Sequence, residues 1–263
     1  MPAYLDKIIA AHRAAAAEDR RDPEELLARA AGLAEPRPFT QALTAAGSPS
    51  RLAVISEIKR RSPSKGDLDL DLDPAAVAKE YESGGAACLS VLTDREFFGG
   101  SPEDLQAARH AGSIPVLRKD FTVSVADVCD ARLMGADAVL LIVAALTDRE
   151  LAAFLAVAGQ LSLVALVEVH DGAELGRAID AGATLVGVNQ RDLHTFEVDP
   201  QLAVSLRPRF PAGVVTVAES GIRGAEDAAR LAAAGYDAVL VGETLVRSGD
   251  RRAAVAELVG AHS

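Results

Sequence analysis

The stretch VISEIKRRSPSKG, residues 54–66, begins as an apolar strand and ends in charges and turn residues. Glu57 and Lys59 lie two positions apart within it. Because side chains alternate between the two faces of a strand, these two residues and Ile55 share one face. A carboxylate and an ammonium at the end of an apolar strand are costly unless they pair or serve a function. The pattern therefore indicates either a surface ion pair on an edge strand or part of a functional site.

Downstream of this stretch, short apolar strands alternate with alanine-rich helices. Such alternation predicts parallel βαβ units. Eight strands in 263 residues predict an α/β fold of the closed (β/α)8 TIM barrel type, although the length alone would also fit two small domains. The predicted strands are residues 52–58, 87–92, 115–117, 138–142, 163–168, 185–189, 214–218 and 238–241. The predicted helices between them are residues 74–83, 102–111, 123–133, 148–159, 172–181, 201–206 and 225–234.

A glycine-centred repeat supports the barrel. The tetrapeptides GGAA, MGAD, AGAT and AGYD each end a predicted helix and open an even-numbered strand. Their second residues are Gly85, Gly135, Gly182 and Gly235. They recur about every 50 residues, two βα units apart, and glycine suits the end of a helix. An open doubly wound sheet would not be expected to show this pattern.

Residues 1–50 precede the first strand and are predicted to be an N-terminal helical extension of a single barrel domain spanning residues 1–263. Apolar residues at positions 4–9 are spaced as on one face of a helix, but this face is too small to fold alone. Asp22 and Pro23 indicate a second helix start, with Asp22 as N-cap and Glu25 completing a capping box. Prolines and a glycine at positions 36–49 predict a loop.

Composition narrows the possible functions. A net charge of -11 and a pI near 5.0 argue against binding to nucleic acid or to an anionic membrane. Cys88 and Cys129 are predicted to be reduced thiols of a cytoplasmic protein. The longest apolar run, residues 138–146, is shorter than the roughly 18 residues that cross a bilayer. The N-terminus is charged where a signal peptide would be apolar. The alanine-rich helices fit a monomer or a weak homo-oligomer.

Polar residues follow the predicted strands at their carboxyl ends, where this fold carries its chemistry. They are Glu57, Lys59, Lys119, Glu168, Asn189 and Glu219. Carboxylates and ammoniums placed together shift one another's pKa values, as acid–base catalysis requires. Each residue also has a simpler interpretation: Lys119 as a solvated charge, Glu168 as a partner of His170, and Asn189 as a loop cap. Arginine heavily outnumbers lysine, so a lysine at a strand end suggests a task that needs a removable proton.

Small or glycine-containing turns follow the last two predicted strands. The turn residues are Ser220, Gly221, Gly242 and Glu243. Backbone N–H groups exposed in such turns predict a phosphate site. Ser62 and Ser64 on the first loop could add hydroxyl donors, although Ser-Pro is also common in turns.

Seven segments together resemble the indole-3-glycerol phosphate synthase family of tryptophan biosynthesis. They are VISEIKRRSPSKG, PVLRKDF, ADAVLLIVAAL, ALVEVHD, GVNQRDL, VAESGI and VLVGETLVR. SEIKRRSPSKG and LRKDF are highly specific, whereas VAESGI is shared by several phosphosugar barrels. The resemblance implies a carboxy-lyase that closes the ring of 1-(2-carboxyphenylamino)-1-deoxy-D-ribulose 5-phosphate, with loss of CO2 and water, to give indole-3-glycerol phosphate. It implies no cofactor, because the substrate carries its own electron sink. The five histidines are scattered and show no metal-ligand spacing.

The resemblance also implies roles for the charged residues. Lys119 would be the general acid of ring closure. Lys59 would hold the substrate carboxylate, and Glu57 would orient Lys59. Glu168 would be the base or acid of the dehydration. Lys59 is a second candidate acid for that step, so the division of acid duty between the two lysines stays open.

Further implied contacts concern the sugar chain, the phosphate and the aromatic ring. Asn189 and Glu219 would hold the hydroxyl groups, and Arg191 would buttress the rim. The phosphate would be held by Ser62, Ser220, Gly221, Gly242 and the backbone amide of Glu243, where serine is also common in the family. Phe98 and Phe121 would flank the aromatic ring of the substrate. Phenylalanines are also common as core residues that anchor loops.

Two other functions stay open at this stage. Another phosphosugar barrel, such as phosphoribosylanthranilate isomerase or an imidazole-pathway enzyme, would use an Asp or Cys acid–base pair at its strand ends. The set of Glu57, Lys59 and Lys119 argues against that. A non-enzymatic binding subunit would keep the phosphate site and bind the substrate without turnover.

Overall fold

A computed structural model of the chain describes residues 4–47, 52–63 and 65–260. Its strands are β1 (Ala53–Ile58), β2 (Arg61–Ser62), β3 (Gly66–Asp67), β4 (Cys88–Leu92), β5 (Val116–Lys119), β6 (Ala138–Ile142), β7 (Val164–Val169), β8 (Leu185–Asn189), β9 (Val215–Glu219) and β10 (Ala238–Val241). Within the described residues, eight parallel strands close a barrel in the order β1-β10-β9-β8-β7-β6-β5-β4. The short strands β2 and β3 form an antiparallel hairpin in the loop after β1. The predicted (β/α)8 barrel is confirmed.

Strand β1 lies inside the barrel wall. Ile55 is paired with Leu240 on β10 and with Cys88 on β4. All six residues of β1 are buried, as expected for a parallel strand covered on both faces. The edge-strand interpretation of Glu57 and Lys59 is therefore wrong.

The helices follow the predicted order, with differences at their ends. They are α1 (Tyr4–Glu18), α2 (Pro23–Ala31), α3 (Phe39–Ala46), α4 (Pro74–Ser83), α5 (Pro102–Ala111), α6 (Val125–Leu133), α7 (Asp148–Gln160), α8 (Gly172–Asp180), α9 (Leu202–Leu206), α10 (Ala225–Ala233), α11 (Glu243–Val246) and α12 (Arg251–Gly260). Helix α6 begins two residues later than predicted because Ser124 and Asp127 cap it reciprocally. Helices α11 and α12 lie beyond the last predicted helix. No described helix is long and apolar enough to cross a membrane.

The four repeat glycines share one backbone conformation. Their φ angles are 96° at Gly85, 91° at Gly135, 86° at Gly182 and 90° at Gly235. Each lies just past a helix, and the residue after each donates to a carbonyl oxygen five positions earlier. This is the Schellman arrangement, in which the left-handed position favours glycine. The repeat therefore marks the turns from a helix into β4, β6, β8 and β10.

The N-terminal extension contains three described helices, one more than predicted. The loop prediction for residues 36–49 is wrong over α3, where Phe39 and Leu43 are buried one helical turn apart. Pro38 occupies the N-cap of α3, so Pro36 and Pro38 precede the helix and do not interrupt it. Asp22 caps α2, but it accepts its hydrogen bond from the N–H of Glu24, one position before the predicted Glu25.

Residues 1–3, 48–51 and 261–263 and Ser64, the predicted hydroxyl donor, lie outside the described residues. Helix α1 lies beside the carboxyl ends of the barrel strands, since Leu5 and Ile8 line the cavity found there. Cys88 and Cys129 are free and buried.

Candidate active site

A cavity of about 570 Å³ opens at the carboxyl ends of the barrel strands. Its lining includes all of the predicted site residues: Glu57, Lys59, Ser62, Phe98, Lys119, Phe121, Glu168, Asn189, Arg191, Glu219, Ser220, Gly221, Gly242 and Glu243. The fold thus brings together residues that lie far apart in the sequence. The cavity also takes apolar side chains from α1, so the N-terminal extension completes one wall.

Glu57 and Lys59 form an ion pair on the cavity wall. Lys59 Nζ lies 2.7 Å from Glu57 Oε1, and only 5% of Glu57 is exposed. Burial opposes the charged form of Glu57, but Lys59 and Lys119 outweigh burial and lower the pKa of the carboxyl group. Glu57 is therefore an anion that holds Lys59 at the end of β1.

Lys119 and Glu168 form a second, longer ion pair across the cavity. Lys119 Nζ lies 3.6 Å from Glu168 Oε2, and the lysine side chain is 17% exposed. Burial opposes the charge on Lys119, but Glu168, Glu57 and Glu219 outweigh it and raise the pKa of the ammonium. The interpretation of Lys119 as a solvated charge is wrong.

Asn189 lies between the site and the loop that follows β8. Its Nδ2 donates to Glu168 Oε1 over 3.0 Å. Its Oδ1 accepts from the backbone N–H of Arg191 over 3.1 Å. The loop-cap interpretation of Asn189 is thus correct, and the same side chain also orients Glu168.

His170, which is not part of the described cavity lining, also contacts Glu168. Its Nε2 lies 3.3 Å from Glu168 Oε1, as the local-pair interpretation expected. Burial of Glu168 raises its pKa, but Lys119, His170 and Asn189 act in the opposite direction and the net pKa is lowered. The carboxylate is therefore ionised. Its Oε1 accepts a hydrogen bond from Asn189, whereas the buried Oε2 has the ion pair with Lys119 and no hydrogen bond among the described residues.

Glu219 differs from the other two glutamates in charge. Burial is the largest effect on Glu219, and repulsion from Glu168 is the next. Together they raise the pKa of Glu219 well above the usual range, although the nearby Lys119 acts in the opposite direction. Glu219 thus favours the neutral acid. A Cβ atom at Gly187 on β8 would collide with the Glu219 carboxyl group. The prediction missed Gly187, which lies outside the described cavity lining but makes room for Glu219; its signal was a glycine inside a strand.

The turns after β9 and β10 contribute residues to the cavity lining. Ser220 and Gly221 have consecutive left-handed φ angles of 64° and 73°, and Ser220 is held through its carbonyl by Gln190 Nε2. Gly242 precedes the short helix α11. In the described part of the chain, nothing hydrogen-bonds the buried Oγ of Ser62. A donor left without a partner beside a cavity fits a ligand contact.

Arg191 and Glu243 face each other at the rim, with Arg191 Nη2 3.9 Å from Glu243 Oε2. Arg191 Nη1 also donates to the carbonyl of Phe196 over 3.0 Å. The Glu243 side chain is thus directed toward a cation, which leaves its backbone amide as the group suited to an anion.

An aromatic wall closes one side of the cavity. The rings of Phe98 and Phe121 have centroids 6.4 Å apart, and the His12 ring on α1 lies 5.5 Å from Phe121. His12 Nε2 lies 2.9 Å from Asp94 Oδ2. The prediction missed His12, because its partners are more than 80 residues away in the sequence.

His12, Asp94 and Asp120 offer metal-ligand atoms within 4.8 Å of one another. These atoms already have protein partners. Asp94 accepts from the backbone N–H groups of Phe97 and Phe98, and Asp120 pairs with Arg118. The cluster therefore serves to tie α1 to the barrel.

The sequence matches the family model described as indole-3-glycerol phosphate synthase over residues 5–258. The indole-3-glycerol phosphate synthase of Aromatoleum aromaticum is 48% identical over 99% of this chain and 100% of its own length. That of Parafrankia sp. (strain EAN1pec) is 56% identical over 80% of this chain and 79% of its own length. Indole-3-glycerol phosphate synthase 2 of Streptomyces coelicolor is 51% identical over 91% of this chain and 92% of its own length.

A solved structure shows the same fold at much lower identity. Thiamine phosphate pyrophosphorylase from Pyrococcus furiosus superimposes with a TM-score of 0.60 and 18% identity, covering 81% of this chain and 96% of that protein. This likeness supports the barrel alone. The match to the family model spans nearly the whole chain, and relatives at about half identity carry the same name. The chain therefore belongs to the indole-3-glycerol phosphate synthase family.

Proposed function

We propose that the cavity converts 1-(2-carboxyphenylamino)-1-deoxy-D-ribulose 5-phosphate into indole-3-glycerol phosphate, CO2 and water. The observation that carries this proposal is the placement of Lys119, 3.6 Å from Glu168, in a cavity that also holds the Lys59–Glu57 pair. Cationic proton donors and anionic proton acceptors therefore line the same cavity. This arrangement suits a reaction that needs an acid first and a base afterwards.

In ring closure, the aromatic carbon that bears the carboxylate attacks the ketone carbon. Lys119 gives a proton to the ketone oxygen, and its raised pKa ensures that it begins as an ammonium. Lys59 holds the substrate carboxylate by charge. Departure of CO2 returns the bonding electron pair to the ring. Glu57 stabilises the positive charge that develops on the anilino nitrogen.

The dehydration needs a proton on the departing hydroxyl group and a base for the proton that leaves carbon. Glu168 is the base, since its lowered pKa keeps it ionised. Lys59 follows β1 on the cavity wall as a second strand-end ammonium, and it supplies the acid of this step. Asn189 and the neutral Glu219 hold the sugar-chain hydroxyl groups.

The phosphate binds at the turns after β9 and β10. The donors are the backbone N–H groups of Ser220, Gly221 and Gly242, the amide of Glu243, and the Ser62 hydroxyl. Oriented backbone N–H groups favour an anion without adding a mobile charge. Arg191 buttresses this rim, and Phe98 and Phe121 flank the aromatic ring of the substrate.

We also infer that the enzyme works in the cytoplasm as a monomer or weak homo-oligomer and does not bind nucleic acid. The net charge of -11 supports the last point. Residues 1–263 form one domain with residues 1–50 as its extension, which is supported by the contribution of Leu5 and Ile8 to the cavity.

The direct test follows indole fluorescence after mixing enzyme with the carboxyphenylamino-ribulose phosphate. We expect Lys119→Ala and Glu168→Gln each to lower kcat at least about 10²-fold. The matched controls Lys79→Ala and Glu226→Gln change exposed helix residues and should leave kcat unchanged. Absence of fluorescence with wild-type enzyme at micromolar concentration would refute the proposal, and turnover of phosphoribosylanthranilate instead would favour the isomerase.

A further inference from the structure

His170 links the buried Glu168 to a second carboxylate outside the cavity. His170 Nε2 lies 3.3 Å from Glu168 Oε1, and Nδ1 lies 3.1 Å from Glu174 Oε2. The same Glu174 oxygen accepts the backbone N–H of His170 over 2.7 Å. The first turn of α8 therefore fixes the ring by hydrogen bonding, whereas Nε2 makes a 3.3 Å charge contact with Glu168 on β7 and no hydrogen bond among the described residues.

The partners of the ring decide its protonation. An ionised carboxylate only accepts hydrogen bonds, so a ring placed between two carboxylates is best satisfied with a proton on each nitrogen. Burial opposes this charge, but Glu168 and Glu174 outweigh burial and raise the pKa of His170 to about 10. In the cavity, Lys119 lies 3.6 Å from Glu168 Oε2, and Glu219 also interacts electrostatically with Glu168. His170 is thus an imidazolium at neutral pH.

Glu174 lies in the first turn of α8. It is the third residue of α8, whose N-cap Asp171 accepts from the N–H groups of Ala173 and Glu174. A carboxylate in the first turn is stabilised by the helix dipole. Glu174 therefore lies where the helix dipole favours a negative charge, next to the histidine.

His170 does not belong to the cavity lining formed by the described residues. It contacts Glu168 Oε1, whereas Lys119 contacts Glu168 Oε2. Glu168 consequently lies between two cations, one inside the cavity and one behind it. Any effect of His170 on the substrate passes through Glu168.

We propose that His170, held by Glu174, is a positioning residue that keeps Glu168 oriented and ionised throughout the reaction. This inference rests on the proposed function. When Lys119 gives its proton to the ketone oxygen, Glu168 loses one of its two cations. The imidazolium stays in place, so Glu168 remains a base for the dehydration that follows.

The first experiment measures the pH dependence of kcat for His170→Ala. We expect kcat to fall about tenfold near neutral pH, by analogy with the loss that follows removal of a residue that orients a metal ligand, with KM unchanged. Without the imidazolium the pKa of Glu168 rises, so the acidic limb of the profile moves to higher pH. The control is His110→Ala on the exposed side of α5, which should reproduce the wild-type profile.

A second comparison separates positioning from general stability. In a Glu168→Gln background, His170→Ala should cost no further activity, because its target is already gone. An equal loss in both backgrounds, or an acidic limb that does not move, would overturn the proposal. The isosteric Glu174→Gln should move the limb in the same direction by a smaller amount.

NMR titration of the imidazole resonances tests the charge independently of turnover. The chain has five histidines, and His170→Gln identifies the signal by its loss. We expect a midpoint near 10 in the wild type and a lower one in Glu174→Gln. A wild-type midpoint at or below about 6.5, the value of a free histidine, would overturn the inference. If the wild-type enzyme shows no turnover but the midpoint of the His170 titration is raised, only the proposed function is refuted.

Discussion

The ammonium of Lys59 lies 2.7 Å from the carboxylate of Glu57, and Gly242 leaves room for both. A Cβ atom at position 242 would lie 3.0 Å from Lys59 Nζ and would collide with Glu57 Oε1. The end of β10 and the end of β1 thus approach closely where the proposed phosphate and carboxylate sites meet. A glycine is required there for space, since its φ of -124° is open to any residue.

This approach predicts the effect of Gly242→Ala. The added methyl group must displace the Glu57–Lys59 pair, and a shift of about 1 Å at a catalytic group can cost about 10²-fold in rate. We expect kcat/KM to fall by that order, measured by indole fluorescence. Gly249→Ala is the control, because its Cβ would meet no atom within 4 Å. Similar kinetics for the two variants would contradict the steric argument.

Lys119→Arg separates charge from proton transfer. Arginine keeps a cation opposite Glu168 but does not release its proton at accessible pH. We expect kcat to fall at least about 10²-fold, while binding of the product, followed by calorimetry, changes much less. Lys79→Arg on the exposed face of α4 is the control. An arginine variant with near-normal turnover would remove Lys119 from the role of general acid.

Glu168 and Glu219 should respond differently to the same substitution. The raised pKa of Glu219 favours its neutral form, so glutamine preserves its charge. The lowered pKa of Glu168 keeps it ionised, so glutamine removes a charge and a base. We expect Glu168→Gln to lower kcat at least about tenfold more than Glu219→Gln. Equal losses would show that Glu219 also works as an anion.

The sequence was sufficient for the barrel and for the convergence of its strand-end charges. Alternating strands and helices set the order of the elements, and the repeat glycines, Gly85 among them, marked alternate turns. Because parallel strands end at the same face of a barrel, charges at strand ends had to converge. Glu57, Lys119 and Glu168 were predictable for this reason.

Contacts that depend on distant packing were not predictable. His12 reaches Asp94 only because α1 lies beside the cavity, and no local pattern specifies that placement. Gly187 is needed because Glu219 on the next strand projects toward it. His170 was visible as a local partner of Glu168, but the second contact with Glu174 required the geometry of the α8 start. Helix α3 was hidden by Pro36 and Pro38, which normally indicate a loop.

The contact of His12 with Asp94 predicts a pH-dependent contribution to stability. Burial opposes the charge on His12, but Asp94 and Asp120 outweigh it and raise the pKa of the imidazole. A raised folded-state pKa means that the contribution is fully present below about pH 6.5, the unfolded value, and is lost as pH rises through the folded pKa. Burial likewise opposes the charge on Asp94, but His12 outweighs it and lowers that pKa. This second contribution is lost only in acid.

We therefore expect His12→Gln to lower the Tm more at about pH 6 than at about pH 9, as measured by calorimetry. The variant keeps a polar side chain of similar size but cannot carry the charge that pairs with Asp94. His110→Gln, on an exposed part of α5, should give the same small difference at both pH values. A Tm deficit of His12→Gln that is equal at both would mean that the charge on His12 does not stabilise the attachment of α1, which Arg13 also holds through Glu150. The predicted result would make the charged His12 a tie between the N-terminal extension and the aromatic wall of the cavity.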